Sequence, residues 1–402
     1  MSYQRISDKF ELASKICAVA VAPAIVLSTA AVAILFPLTV LLNLLAGNLR
    51  EKFNLIMRNP VALVSLLFFS LFLIGATYST ASTTDILMML RKYAKYALAV
   101  MFIPIFVEEK WRDYAIFSFM GAILVMLIAS YLRTHGYLGL WARGSVEVFK
   151  ISMVFNFLMA FAAYLCLIKI TSTSRYRLMW ITFLILIVHT VLFRSMGRSG
   201  YFVFAGLVVL FFVQKLGWRG LVAAATGIVL LFGLAFIFSP TFKGRINAVF
   251  NEVKIYQQND NTSVGLRMTF VKNSMKLIKI HPILGTGTGS YIKEYSAIDP
   301  NNGYENPHNE YAYITVQFGI LGLMILLLFF AIPLWYSQFL PEKEKYIARG
   351  IVISVMIGSL ANCWLFDVTV RCSYAYFVML AFATLPVSSR NKGSSLYIRH
   401  LT

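Results

Sequence analysis

Charge is what this sequence has least of. Only 13% of its 402 residues are Asp, Glu, Lys or Arg, against roughly 25% in soluble domains. The deficit falls on the acids, with 17 Asp and Glu facing 36 Lys and Arg. With 59% of positions hydrophobic, an ordinary soluble globule is excluded. The alternating pattern of barrel strands is also missing, which excludes a membrane barrel and leaves helices. Cys17, Cys166, Cys363 and Cys372 lie in or beside apolar runs without metal-ligand spacing. A zinc ribbon or disulfide scaffold is therefore not indicated, and packing is the expected role, although Cys363 and Cys372 could approach each other at one membrane face. A cleavable leader is not expected either. The first apolar run follows Arg5, Lys9 and Lys15, outruns a signal-peptide core and shows no clear cleavage site.

A further shortage lies in the polar stretch 240–307. It holds isolated Glu252, Asp260, Glu294, Asp299 and Glu305, and no close carboxylate pair to bind a metal diphosphate. That argues against a divalent cation as the neutraliser of a leaving group and points to arginine instead.

What is present is a series of apolar runs of membrane-spanning length. The run 16–46 would be about 45 Å long as one helix, too long for a core of roughly 30 Å. Two short spans meeting between Pro23 and Pro37 are expected there. Further spans are expected at 61–78, 85–106, 113–131, 150–170, 178–195, 200–213, 219–239, 310–336, 346–366 and 371–387, twelve in all. The fold class is thus all-α, a polytopic helical membrane protein. Its expected divisions are residues 1–239 with nine spans, a large far-side loop over 240–307, and residues 308–402 with three spans and a tail. Placing both termini in the cytoplasm puts Lys110/Arg112, Arg175/Arg177, Lys215/Arg219, Lys343/Lys345 and the tail's Arg390, Lys392 and Arg399 inside, as the positive-inside rule requires. Most of the net charge of +19 then reports orientation, and no nucleic-acid partner is implied.

Basic residues on the far side need another reason. Arg198 lies in a short turn between two spans, at the interface, where an arginine either snorkels to headgroups or faces a cavity or an anion. Arg194, one turn earlier, is read as adding positive field on the same helix. Residues 266–281 read as an amphipathic helix. At about 100° per residue, Lys272, Lys276 and Lys279 share one sector while Arg267 falls among Val271 and Ile278 on the apolar side, so Arg267 needs a partner. Lys95, with Arg91 and Lys92, is expected at an expensive depth, and Arg143 with His135 in the adjoining 132–149 connection; these could enlarge one anion cavity. Asp367 and Arg371 flank the last turn and are read as a pair. The stretch Gly285-Thr286-Gly287-Thr288-Gly289-Ser290 resembles a phosphate loop, but it follows no expected strand, so a tight backbone turn is the reading. His308, after Pro307 and just before a span, is either an ordinary hydrogen-bonded histidine or a base. Neutral imidazole, with a pKa of about 6.5, suits proton removal from a hydroxyl, beside arginines able to grip phosphate through two parallel bonds.

Three motifs in order carry a resemblance: Arg198-Ser199-Gly200-Tyr201; Gly265-Leu266-Arg267 followed by His281-Pro282-Ile283-Leu284-Gly285; and Pro307-His308-Asn309-Glu310 followed by Phe318-Gly319-Ile320-Leu321-Gly322. Over most of its length the chain resembles the O-antigen ligases of Gram-negative bacteria, within a superfamily that includes O-antigen polymerases and O-linked oligosaccharyltransferases. The resemblance implies a multi-pass inner-membrane glycosyltransferase whose periplasmic loop covers the active site. Arg198, Arg267 and His308 would be the key groups, Lys95 and Arg143 further cavity cations, and Asp367 and Arg371 a supporting pair at the last periplasmic turn. The donor would be undecaprenyl-diphosphate-linked O-antigen and the acceptor the lipid A-core, with membrane lipids around them and neither cofactor nor metal. No extra soluble C-terminal domain is expected, which favours ligase over oligosaccharyltransferase. A transporter of lipid-linked sugars is the rival; paired broken helices in the two halves would favour it, and none are evident.

Overall fold

The computed structural model describes residues 2–135, 148–172, 174–300 and 304–385. Arg143 and the tail residues Arg390, Lys392 and Arg399 lie outside them. The long first run divides as its length demands. Helices α1 (Ser2–Leu27) and α2 (Thr29–Leu45) are separated by Ser28, whose hydroxyl accepts from the Ala31 amide and caps α2. Ser7 near one end donates to the Ala46 carbonyl at the other, 2.6 Å away, so the two helices fold back on each other. Helices α3 (Leu49–Met57) and α4 (Pro60–Ala76) bend by 88° around Asn59. The Asn59 side chain caps α4 and Pro60 occupies its first position, where a missing N–H costs nothing.

Then follow α5 (Thr83–Ala99), the single turn α6 (Phe102–Ile105), α7 (Glu109–Thr134), α8 (Ser152–Ser172), α9 (Arg177–His189) with a π turn to Arg194, α10 (Arg198–Leu216) and α11 (Trp218–Phe238). The 240–307 stretch carries three helices where one was expected: α12 (Pro240–Lys254), α13 (Ser263–Ile280) and α14 (Tyr291–Ile298). The signal for α12 is the Ser239-Pro240 pair, a capping hydroxyl followed by proline at the first turn. Helices α15 (Glu310–Tyr336), α16 (Glu342–Gly358) and α17 (Val368–Phe382) complete the described chain.

No strand occurs among the described residues. Among the described residues, seven helices are long and apolar enough to cross a membrane, and the bent α3–α4 pair is a candidate eighth. Each of the twelve expected stretches contains a helix, but twelve spans is more than length and composition support. Helix α2 has 17 residues and α17 has 15, about 26 and 23 Å. Helix α5 carries Asp85, Arg91, Lys92 and Lys95. The expected spans 85–106 and 346–366 are also shorter than their apolar runs, since helix stops at Ala99 and Gly358.

Helix α17 is the centre, buried at every position from Thr369 to Phe382 against α16, α5 and α1. Helix α8 is buried along most of its length, whereas α11 is buried at few positions, which marks α11 as peripheral with an apolar surface suited to lipid. Aromatic rings from α4, α5, α15 and α17 form the packing around the centre, with Phe72 stacked on Tyr93 at 3.8 Å and Phe68 on Phe329 at 4.4 Å. Their buried hydroxyls are paired, Tyr374 donating to the Phe329 carbonyl and Tyr376 to that of Ala18. An ion pair between Arg112 and Glu344, 3.0 Å apart and buried, ties α7 to α16.

The glycine-rich stretch after α13 is a backbone turn, as its sequence context indicates. Gly285, Gly287 and Gly289 have positive φ, and the turn docks into a break in α15 at Gly319 (φ 62°). Gly287 N–H donates to the Gln317 carbonyl (2.7 Å), Gly289 N–H to the Gln317 side chain (2.7 Å) and Ile320 N–H to the Pro282 carbonyl (2.8 Å). A β-carbon at Gly319 would lie 2.2 Å from the Ile283 carbonyl group, whereas one at Gly227 in α11 would meet nothing within 4 Å. Gly319→Ala is therefore expected to cost about 2 kcal/mol or more through strain and collision. Gly227→Ala should be neutral or slightly stabilising. Thermal unfolding in detergent checks both, and equal melting temperatures would contradict this account of the turn.

Candidate active site

His308 sits between Pro307 and the cap of α15. Its backbone is left-handed (φ 51°), held by its own N–H donating to Asn306 Oδ1 at 3.1 Å. Asn309 caps α15 by accepting from the Ala312 amide, and its Nδ2 donates to the Leu360 carbonyl. Glu310, fully buried, accepts from Tyr93 (3.1 Å) and from the Leu365 amide (2.9 Å). These bonds fix the chain on either side of the 359–365 segment, so the histidine projects from an anchored turn. Its ring lies 5.9 Å from that of Phe270 on α13 at a 29° tilt.

In front of the ring is a cavity of about 870 Å3. Arg91, Lys92 and Lys95 from α5, Met153 from α8, Asn362 to Asp367 (Leu365 excepted), and Arg371 from α17 line it with His308. Lys95 thus lines the same cavity as His308. Lys92 lies over the Phe366 ring at 3.6 Å and Lys95 over Phe36 at 5.2 Å.

Arg198 and Arg267 are not among the residues that line this cavity; Arg267 reaches towards Met153 at its edge. Arg198, at the start of α10, donates to Glu252 Oε1 of α12 at 2.5 Å, and Glu252 Oε2 accepts from the Val264 amide at the start of α13. One carboxylate thereby joins three helices. Arg267 donates to Ser263 Oγ (3.0 Å) and reaches within 4.0 Å of Met153 Sδ. Arg198 Nη1 and Arg267 Nε are buried with no partner among the described residues. Arg198 pairs with the Glu252 carboxylate, Arg267 feels its charge without bonding to it, and both guanidiniums keep donors for a further anion.

Electrostatics follow from this geometry. The hydrogen bond from Arg198 holds the Glu252 carboxyl below the usual carboxylate range. Burial, then the charge of Arg198, presses the Arg267 pKa down. Burial first, and the charge of Arg267 second, lower the pKa of His308. The Asn362 amide, lying against the ring without hydrogen-bond geometry to it, offsets part of the fall. Arg267 thus stands between the other two residues picked from the motifs, feeling the charge of Arg198 and lowering the pKa of His308.

Helix α13 presents the faces expected of it. Phe270, Ser274 and Leu277 are buried, Arg267 is half-buried with them, and Lys272, Lys276 and Lys279 are exposed. Other expectations need correction. Arg194 is not on the helix of Arg198: residues 195–197 separate them, and Arg194 turns away to the Ser130 carbonyl, Thr134 and the face of Tyr131. Asp367 and Arg371 form no salt bridge, because Asp367 spends its carboxylate capping α17 and Arg371 donates to the Phe366 carbonyl. The four cysteines are unbridged. Glu252 and Asn362 escaped sequence reasoning. Glu252 gained meaning only through a contact across 54 positions, and Asn362 lay inside an apolar run read as a span.

Fold and site together define a polytopic helical membrane protein with a cation-lined cavity and a histidine at its edge. Residues 180–327 match the family model described as O-antigen ligase. A 140-residue stretch is 27% identical to an uncharacterized protein of Haemophilus influenzae, covering 32% of this chain and 35% of that protein. The chain thus spans about a third of the length of the curated relative it matches.

Proposed function

We propose that this protein is an O-antigen ligase of the inner membrane, moving O-antigen polysaccharide from undecaprenyl diphosphate to the lipid A-core at a periplasmic site formed by Arg198, Arg267 and His308. The observation that carries the reading is a pair of arginines with unpaired buried donors, one of which acts on the charge of His308, and the place of that histidine on a large cationic cavity. The family match supports a reaction of the ligase and polymerase type.

In this reading the acceptor hydroxyl oxygen attacks the anomeric carbon from the face opposite the diphosphate. The bond from that carbon to the diphosphate oxygen breaks, the configuration inverts, and the hydroxyl proton passes to His308. Charge growing on the departing diphosphate is met by the free N–H groups of Arg198 and Arg267, so the donor supplies the activation and arginine the neutralisation. Arg267 has a second effect: by lowering the histidine pKa it keeps the imidazole neutral and able to accept the proton. Lys95 and Arg371 extend the positive surface for other anionic groups of the two lipids.

Comparing lipopolysaccharide from cells with and without the chain tests the choice within the family. Loss of polymer-capped core with retention of lipid-linked polymer is expected. A core capped by a single repeat would indicate a polymerase instead.

A further inference from the structure

Asn362 is 3% exposed, lines the cavity beside His308, and has no hydrogen-bond partner for either Oδ1 or Nδ2 among the described residues. Its surroundings are not loose. The Asn362 backbone N–H donates to the Gly358 carbonyl (3.0 Å), Glu310 N–H to the Ser359 carbonyl (2.9 Å), Asn309 Nδ2 to the Leu360 carbonyl (3.0 Å), and Leu365 N–H to Glu310 Oε2 (2.9 Å). The backbone on both sides is pinned to the two residues that follow His308, while the side chain stands unpaired against the imidazole. Buried polar groups are ordinarily satisfied, and leaving a donor and an acceptor unmade destabilises a protein. A rigidly held amide in that condition, facing a cavity, is matched to something the cavity receives.

The chemistry of the amide narrows what that is. A phosphate oxygen accepts from Nδ2 but gives nothing to Oδ1, and the cavity already supplies Arg91, Lys92, Lys95 and Arg371 for anions. Sugar hydroxyls both donate and accept, so two neighbouring hydroxyls satisfy both ends of the amide at once. The hydroxyl that His308 deprotonates must come within about 3 Å of the ring, and Asn362 lies against that ring. Resting on the function proposed above, we infer that Asn362 is a positioning residue for the acceptor, binding hydroxyls of the acceptor sugar next to the one that attacks.

Asn362→Leu, close in volume and without polar atoms, separates this role from others when purified protein is assayed with saturating donor lipid and varied acceptor. Expected are a melting temperature equal to or above that of the wild type, unchanged donor binding, an acceptor KM raised about tenfold or more, and an acid limb of the pH–rate profile moved to lower pH, since the amide no longer raises the His308 pKa. A lower melting temperature with unchanged acceptor KM would overturn the inference in favour of a structural asparagine. An acid limb moved to lower pH with unchanged KM would overturn it in favour of a residue that only orients His308. Wild-type protein that transfers nothing would instead refute the proposed function itself, so the two failures are distinguishable.

Discussion

His308→Gln is expected to fold, to bind donor lipid as the wild type does, and to transfer glycan about 10²- to 10⁴-fold more slowly, or roughly 3 to 5 kcal/mol of barrier. Glutamine keeps hydrogen-bonding capacity near that of the imidazole but cannot take up a proton, so it should be as inactive as alanine. Binding survives because it is assigned to the arginines. The pH dependence follows with a definite sign. A base must be neutral to act, so activity is lost as pH falls through the folded-state pKa of His308. Burial and Arg267 hold that value below the ordinary imidazole range, so the acid limb should lie on the acid side of about 6.5. Single-turnover rates across pH, with donor binding measured separately, check the claim. Substantial activity in the glutamine variant with an unchanged acid limb would show that deprotonation occurs elsewhere.

Arg267→Lys is expected to lose about 10²-fold in kcat/KM, close to 3 kcal/mol, although its charge is retained. The guanidinium already divides its donors, with Nη1 on Ser263 and Nε unpaired and buried. A lysine in its place has one nitrogen on a flexible stem and cannot hold Ser263 and grip a phosphate in parallel. Arg267→Gln should lose at least as much and move the acid limb upward, because the positive charge that depresses His308 is gone. Lys272→Ala and Lys276→Ala lie on the exposed face of the same helix and should change the rate by less than about threefold. Equal tolerance of all these substitutions would mean that Arg267 is not at the diphosphate.

Both predictions begin from residues that were readable before any fold was in view. Arg198 and Arg267 stood out because a cation at a membrane interface or on an apolar helix face needs a reason, and His308 because it follows proline at the mouth of an apolar run. Helical periodicity also sorted α13 correctly into a lysine face and an arginine face. What stayed hidden were interruptions inside apolar runs. Hydrophobicity alone reads 346–366 as one span, yet the chain leaves helix at Gly358, and Asn362, Cys363, Trp364, Phe366 and Asp367 line the cavity. It likewise gives no warning that α15 breaks at Gly319 to receive the Gly285–Ser290 turn. Glu252 was legible only as an isolated acid, because its pairing with Arg198 depends on how α12 returns to the start of α10.

Purified protein in lipid, given undecaprenyl-diphosphate-linked O-antigen and lipid A-core with no added nucleotide, tests the central claim most directly. The account predicts a covalent polysaccharide–lipid A-core product with inverted anomeric configuration, formed by wild type and nearly abolished in His308→Gln. Movement of the donor lipid across the membrane without any covalent product would contradict it and make the cavity a transport path.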